Sequence, residues 1–238
     1  MECFDNFTWA RTLHSYPPLC DYVNEKFLPN KAPGKPLHTL VLDLDETLIT
    51  CYNEHPDYNS VYFTIDVMNP QTGENETEEF FPLFRPYVFY FLKEMSKYYE
   101  IIAFTAAQST YANAVVSILN KDAHTIDYCL TRDHTTFIDD SNHRLYYKDL
   151  YRLNRDLKTT VIVDNTPMVY SYNVNNAIPI LSWNGEQDDK ELFYLMETLR
   201  QLSKVSDVRT VIQRTYHVED LLNNEEISHH GSLAYSVC

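Results

Sequence analysis

Glycine is scarce in this chain, four in 238 residues, and that excludes most of the loops with which proteins wrap nucleotides. Neither G-x-x-x-x-G-K-[ST] nor G-x-G-x-x-G occurs, so a glycine-rich phosphate cradle is not expected. Positive charge is also in deficit: 19 Lys and Arg face 34 Asp and Glu, a net charge of −15. Direct nucleic-acid binding relies on basic side chains facing phosphates and is not expected, although a local basic pocket for one phosphate remains open. The five cysteines (Cys3, Cys20, Cys51, Cys129, Cys238) are odd in number and contain no C-x-x-C pair. They fit free thiols in a reducing compartment, not a disulfide framework or zinc site. The nine histidines show no consistent metal-ligand spacing.

No uninterrupted apolar run approaches the length of a bilayer span. The opening Met1-Glu-Cys-Phe-Asp-Asn6 lacks the basic region and apolar core of a signal peptide. The expectation is a soluble intracellular protein, nuclear or cytoplasmic, with no membrane partner. The sequence leaves its oligomeric state open. An apolar share of 44% and a charged share of 22% are ordinary for a globular chain, and the length suits one or two domains.

The most informative stretch is Val41-Leu-Asp-Leu-Asp-Glu-Thr-Leu48. An apolar strand, about Thr39 to Leu42, drives into two carboxylates, Asp43 and Asp45, one residue apart. Unpaired buried charge is expensive, so a buried strand ending in acid calls for a partner. The pattern recurs: Tyr99–Phe104 ends at Thr105, and Thr160–Val163 ends at Asp164-Asn165. Between these lie helical spacings, Val88, Phe91, Leu92 and Met95 to about Tyr98, then Ala112, Val115, Val116 and Leu119. A further strand is read at Ala177–Leu181, and a long amphipathic helix from about Asp188.

Strand, helix, strand, helix, strand, with polar residues where strands end, predicts an α/β fold. Its centre is a parallel sheet that binds ligands at the strands' carboxyl edge. Two β-rich insertions interrupt it. Val61–Val67 and Glu79–Phe84, with a turn at Asn69–Gly73, predict an antiparallel flap. Residues 123–147, with strand-like pieces at Ile126–Leu130 and Arg144–Tyr147 and a turn near Asp139–Asn142, form the second. Residues 1–37 read as a proline-rich N-terminal extension, 38–215 as the domain and 216–238 as a loosely held tail.

The residues in these positions resemble those of the haloacid dehalogenase superfamily of phosphotransferases. Within it, the likeness is to the small phosphatases of the RNA polymerase II C-terminal domain and their Dullard-type relatives. The matching stretches are Asp43–Leu48, Arg85-Pro86, Phe104–Ala106, Tyr147–Leu150, Leu153–Leu157, Val163–Pro167 and Asn176–Pro179, in order and across about residues 38–215. The resemblance implies a Rossmann-like core and a magnesium-dependent protein serine/threonine phosphatase whose partner is a phosphoprotein or phosphopeptide.

By family position Asp43 is the nucleophile that forms an aspartyl-phosphate, and Asp45 the acid that protonates the leaving oxygen. Elementary electrostatics favours splitting the roles. Two carboxylates about 4 Å apart repel by ~4 kcal/mol at an effective dielectric of about 20, or roughly three pKa units. The family pattern places Mg2+ on the Asp43 carboxylate, the Asp45 carbonyl and the Asn165 side-chain oxygen, with Asp164 orienting waters from close by. It assigns Lys148 and Thr105 to the phosphoryl oxygens and Arg132 to the substrate phosphate.

Each position also has a plain structural reading. Lys148 can be a surface lysine, Thr105 a helix N-cap, Asp164-Asn165 an ordinary turn, and Arg132-Asp133 a surface ion pair. Glu46 and Glu74–Glu79 read as solvated. Two other functions stand beside the phosphoprotein phosphatase. Leu153–Asp156, Trp183–Asp189 and Asp207–Val211 also resemble the mitochondrial inner-membrane presequence receptor, a phosphatase-like binding protein without catalysis. A small-molecule phosphatase is the third.

Overall fold

The computed structural model describes residues 25–52, 61–68, 73, 75–140 and 143–218. In chain order the strands are β1 (His38–Leu42), β2 (Ile49–Tyr52), β3 (Phe63–Met68), β4 (Asn75–Phe84), β5 (Tyr99–Phe104), β6 (Ile126–Leu130), β7 (Thr136–Asp140), β8 (His143–Tyr147), β9 (Thr160–Asp164) and β10 (Ala177–Pro179). The helices are α1 (Val88–Met95), α2 (Ser109–Leu119), α3 (Glu191–Leu202) and α4 (Val208–Tyr216).

The expected α/β architecture is present. Five parallel strands form one sheet in the order β10-β9-β1-β5-β6. Every residue of β1, β5 and β9 is buried, which is why these strands read as apolar runs without strict alternation. The pleat still sorts them. Leu40, Leu42, Ile101, Ala103, Val161 and Val163 face one cluster, and Val41, Ile102, Phe104 and Ile162 the other.

The first face is covered by α1, α2, α3 and α4. In α1 the buried set Val88, Phe91, Leu92 and Met95 is a single stripe of the 3.6-residue period. The second face is covered by 3-10 segments at Leu150–Leu153 and Pro167–Asn176, together with Leu28. Among the described residues, each α-helix contributes buried side chains to the cluster on this face.

That Leu28 contact belongs to residues 25–37, which lie as a strap along the second face. Phe27 donates its N–H to the Arg152 carbonyl at 2.8 Å, and the Arg152 guanidinium lies 4.0 Å from the Phe27 ring centre. The Phe27 ring meets Phe104 and His134 edge-on. Asn154 Nδ2 donates to the Leu28 carbonyl, and Arg155 Nη1 to that of Pro29. Arg155 also pairs with Glu100, both groups buried.

Several local expectations change. The first insertion is a three-stranded antiparallel sheet, β2-β4-β3, and its strand β2 was not anticipated because it follows the acidic loop directly. Most of the expected turn at Asn69–Gly73 lies outside the described residues. Ile126–Leu130 does not belong to the second insertion. It pairs in parallel with β5 as the sheet's edge strand, since its apolar ends Ile126 and Leu130 fill opposite clusters. The second insertion is the β7–β8 hairpin, whose turn at 141–142 lies outside the described residues. Helix α1 stops at Met95, three residues early, because the chain must turn into β5 at Tyr99. Helix α3 begins at Glu191, because Asp189 is held by Arg85 and accepts the Glu191 N–H.

Candidate active site

β1 is the strand from which the chain leaves in both directions, toward β5 and β6 on one side and β9 and β10 on the other. Such a switch point opens a crevice beyond the strands' carboxyl ends. Leu42 is level with Ala103 of β5 and Val163 of β9. Thus Asp43, Phe104-Thr105 and Asp164 emerge side by side. Asp43 keeps its backbone in the sheet, donating its N–H to the Val163 carbonyl at 3.1 Å.

Lys148 arrives from the end of the β7–β8 hairpin, and it is 2% exposed, not a surface lysine. Its Nζ donates to Asp43 Oδ1 at 2.6 Å and to Asp164 Oδ2 at 2.5 Å. Burial pushes the ammonium down, but Asp164 and Asp43 outweigh that and hold its pKa above the ordinary lysine value. Burial raises the Asp164 carboxyl, with Lys148 opposing. Asp164 Oδ1 also accepts the Thr166 N–H at 2.8 Å, so the turn reading and the site reading hold at once.

Asp45 lies on the turn that closes the loop. The Leu48 and Ile49 N–H groups donate to the Leu44 carbonyl, and Glu46 N–H to that of Ile49. The Asp45 carboxyl oxygen Oδ1 accepts the Tyr111 hydroxyl at 2.5 Å. Its pKa is pushed up to about 6, first by burial and then by the Asp43 charge, against the opposing Tyr111 bond. Tyr111 stays an O–H donor, because burial and the Asp45 charge push its phenol upward.

Asn165 is half-buried with its amide oriented. Nδ2 donates to Glu46 Oε2 at 3.1 Å and to Ser182 Oγ at 2.9 Å, and Oδ1 faces the Thr47 hydroxyl at 3.4 Å. A carboxylate can only accept, so the Glu46 contact fixes which end of the amide is oxygen. Glu46 is exposed but does more than meet solvent. It has φ 58, and its carbonyl accepts the N–H of buried Trp183 at 2.7 Å.

Thr105 is 2% exposed, and its hydroxyl accepts the Ala107 N–H at 3.0 Å. It is not the N-cap of α2, which Gln108 precedes. Arg132 is exposed on the rim. Its Nε donates to the Ala106 carbonyl at 2.6 Å, beside Thr105, and its guanidinium lies 5.8 Å from the Tyr146 ring centre. The structure thus joins Asp43, Lys148 and Asp164 in direct contact and sets Asp45 and Asn165 on the adjoining loops. It ties Arg132 to the loop that carries Thr105.

The residues that the resemblance assigns to a metal offer hard oxygen donors: the Asp43 carboxylate, the Asn165 amide oxygen and the Asp45 carbonyl. Among the described residues no group of three or more His, Cys, Asp and Glu is arranged to hold a metal. That donor set suits a small hard cation that keeps several waters, and it does not suit zinc.

Two supporting contacts were not read from the sequence. Tyr111 lies off the apolar stripe of α2, which is Ala112, Val115, Val116 and Leu119. Arg85 was noted only beside Pro86. It is buried, forms a two-point ion pair with Asp189 and donates Nη1 to the Thr47 carbonyl at 3.1 Å, fastening the acidic loop from behind. A buried charge on an otherwise apolar stretch was the available signal for Arg85.

Comparison with known proteins agrees with the likeness seen in the motifs. The sequence pattern of the NLI interacting factor-like phosphatases matches residues 38–209. The chain is 37% identical over 196 residues to CTD small phosphatase-like protein 2 of Dictyostelium discoideum, covering 82% of this chain and 33% of that one. It is 39% identical over 193 residues to a probable C-terminal domain small phosphatase of the same organism, covering 79% and 59%. With the mouse carboxy-terminal domain RNA polymerase II polypeptide A small phosphatase 2 it shares 36% over 171 residues, covering 72% and 59%. The chain therefore spans between a third and three-fifths of the length of these relatives. With its matched segment running from β1 into α4, and its acids at the sheet's switch point, the chain belongs to the NLI interacting factor-like phosphatase family.

Proposed function

We propose that the chain is a magnesium-dependent protein serine/threonine phosphatase that works through an aspartyl-phosphate on Asp43, within a catalytic unit of residues 38–215. The observation that carries this reading is the buried Lys148 shared by Asp43 and Asp164 at the switch point, with Asp45 two residues along. A side chain at Asp43 is restrained by Lys148 through one oxygen, Oδ1. In the first step a bond forms from the Asp43 carboxylate to phosphorus, the ester P–O bond breaks, and the Asp45 proton passes to the leaving serine or threonine oxygen. In the second, Asp45 takes a proton from water as that water attacks phosphorus, and the Asp43 carboxylate is released. Lys148 balances charge on the phosphoryl group as it transfers, Thr105 donates its hydroxyl to a phosphoryl oxygen, and Arg132 reaches the substrate phosphate from the rim. When bound, Mg2+ supplies positive charge beside Asp43, held by the Asp43 carboxylate, the Asp45 carbonyl and Asn165 Oδ1, with Asp164 orienting its waters.

The family supports a choice of substrate class. The mouse relative is named for the carboxy-terminal domain of RNA polymerase II, and phosphopeptides of that kind are the proposed substrates here, in the nucleus or cytoplasm. Exposed Tyr62, beside Phe81 on the flap, offers an aromatic surface for an extended peptide. Among the described residues no helix is long and apolar enough to cross a membrane.

The test is a panel of phosphoserine and phosphothreonine peptides and phosphorylated metabolites, with Mg2+ and with excess chelator, for wild type and Asp43→Asn. Magnesium-dependent peptide hydrolysis, lost in Asp43→Asn, is expected. Full activity in chelator, or unchanged turnover in the variant, overturns the mechanism. Exclusive hydrolysis of metabolites replaces the substrate class, and presequence binding without turnover revives the silent binding protein.

A further inference from the structure

The general acid is held by a residue that belongs neither to its loop nor to its sheet. Tyr111, in the first turn of α2, donates its hydroxyl to Asp45 Oδ1 at 2.5 Å. The Tyr111 ring is itself wedged against the flap, 5.7 Å from the Phe63 ring centre and 5.4 Å from that of Phe80. Those two rings stack on each other at 5.5 Å and come from paired positions of β3 and β4. Cys51 of β2 packs against the same core cluster as Phe63 and Tyr111. Two strands of the flap, β3 and β4, therefore converge on one side chain, and that side chain ends on Asp45.

We propose that Tyr111 is a positioning residue that aims the Asp45 carboxyl at the leaving oxygen and makes that aim depend on the seating of the flap. The chemistry is local. A carboxylic acid carries its proton on one oxygen, and an oxygen that already accepts a strong O–H bond is the poorer place for it. The Tyr111 bond occupies Oδ1, which leaves Oδ2 to carry the proton. The same bond stops rotation of the carboxyl, and the Phe63 and Phe80 rings stop the phenol from swinging away. A peptide that displaces or tightens the flap thereby moves the acid, while a ligand too small to reach the flap does not.

This inference rests on the reading of Asp45 as proton carrier, and the leaving group separates the two. A serine alkoxide needs the proton as it departs, and a nitrophenolate departs without it. Release of the leaving group is followed in single turnover, so that only the first step is read, with a phosphoserine peptide and with p-nitrophenyl phosphate. Tyr111→Phe should slow the phosphoserine step roughly tenfold, a part of the 10²–10⁴ that a placed general acid contributes. It should leave the nitrophenyl step within about twofold, which also shows that the variant is folded. Phe80→Leu keeps the hydroxyl but loosens its wedge, and should give the same selective loss at smaller amplitude.

Equal losses on both substrates, or no loss on either, overturn the positioning role. Wild-type phosphoserine rates in Phe80→Leu overturn the flap's part in it. If Asp45→Asn itself fails to distinguish the two substrates, the assignment of the acid is what has failed. If Asp45→Asn distinguishes them and Tyr111→Phe does not, the failure belongs to Tyr111.

Discussion

Replacing Lys148 with Met tests the electrostatic logic of the site without any substrate. The side chain is 2% exposed and bonded to Asp43 Oδ1 at 2.6 Å and Asp164 Oδ2 at 2.5 Å. Met fills a comparable volume but removes the ammonium between them. The two oxygens lie within roughly 5 Å of each other, and at an effective dielectric of about 20 two such charges repel by ~3 kcal/mol. Breaking a buried pair by deleting one partner costs about 3–5 kcal/mol, in the same range. For a domain of about 150–250 residues, each kcal/mol moves Tm by about 2–4 °C, so Lys148→Met should melt about 6–20 °C below wild type.

The measurement is thermal unfolding in metal-free buffer near pH 7. Two controls carry opposite signs. Asp164→Asn in the Lys148→Met background removes the repulsion and should restore at least half of the loss. Asp43→Asn alone leaves Lys148 paired with Asp164 and should melt no lower than wild type, although the proposed nucleophile is gone. Lys148→Met melting within about 2 °C of wild type refutes the reasoning, because the triad would then carry no such coupling. Further destabilisation by Asp164→Asn refutes it as well.

The remaining predictions concern proton and metal. Asp45, pushed up to about 6, loses its proton as pH rises through that value. Single-turnover cleavage of a phosphoserine peptide should therefore decline above about pH 6, and Asp45→Asn should abolish that limb. A folded-state pKa above the ordinary carboxyl value also means that the fold holds this proton more tightly than the unfolded chain. Metal-free stability should accordingly rise as pH falls from 7 through 6, and Asp45→Asn should flatten the trend. For the metal, Glu46→Ala releases the Asn165 amide and should weaken Mg2+ binding roughly tenfold by calorimetry, the usual scale for a residue that orients a ligand. Asn165→Ala should weaken it at least as much, and unchanged Mg2+ affinity in both removes Asn165 from the proposed metal site.

The parts of this protein legible in the sequence are those written in short-range pattern. Leu40-Val41-Leu42 and Thr160–Val163 announce buried parallel strands because both faces of such strands are covered. The stripe Val88, Phe91, Leu92, Met95 announces a helix with one apolar side. Boundaries failed where a side chain from a distant segment intervened. Helix α3 starts at Glu191, not near Asp188, because Arg85 holds Asp189 104 positions away in the chain. Ile126–Leu130 was placed in an insertion because its edge position, paired only with β5, leaves half-buried Asp127, Tyr128 and Cys129 between apolar ends. The likeness to a known phosphatase family was also legible, since its motifs sit at strand ends and recur in order.

What the sequence determined by itself is the set of strand ends that carry acids and the alternation that places them on one edge of a parallel sheet. Period and composition act over a few residues, and an apolar strand stopping at charge needs no distant partner to be recognised. Only the tertiary structure decided which charges meet. Apart from the family motif around it, Lys148 looks no different in the sequence from any surface lysine, and it becomes the centre of a buried triad because the β7–β8 hairpin delivers it between β1 and β9. Tyr111 lies off the apolar stripe of its helix, and reaches Asp45 because the flap walls its ring in. Long-range electrostatics and ring packing depend on distances through space, and those distances exist only once the chain has folded.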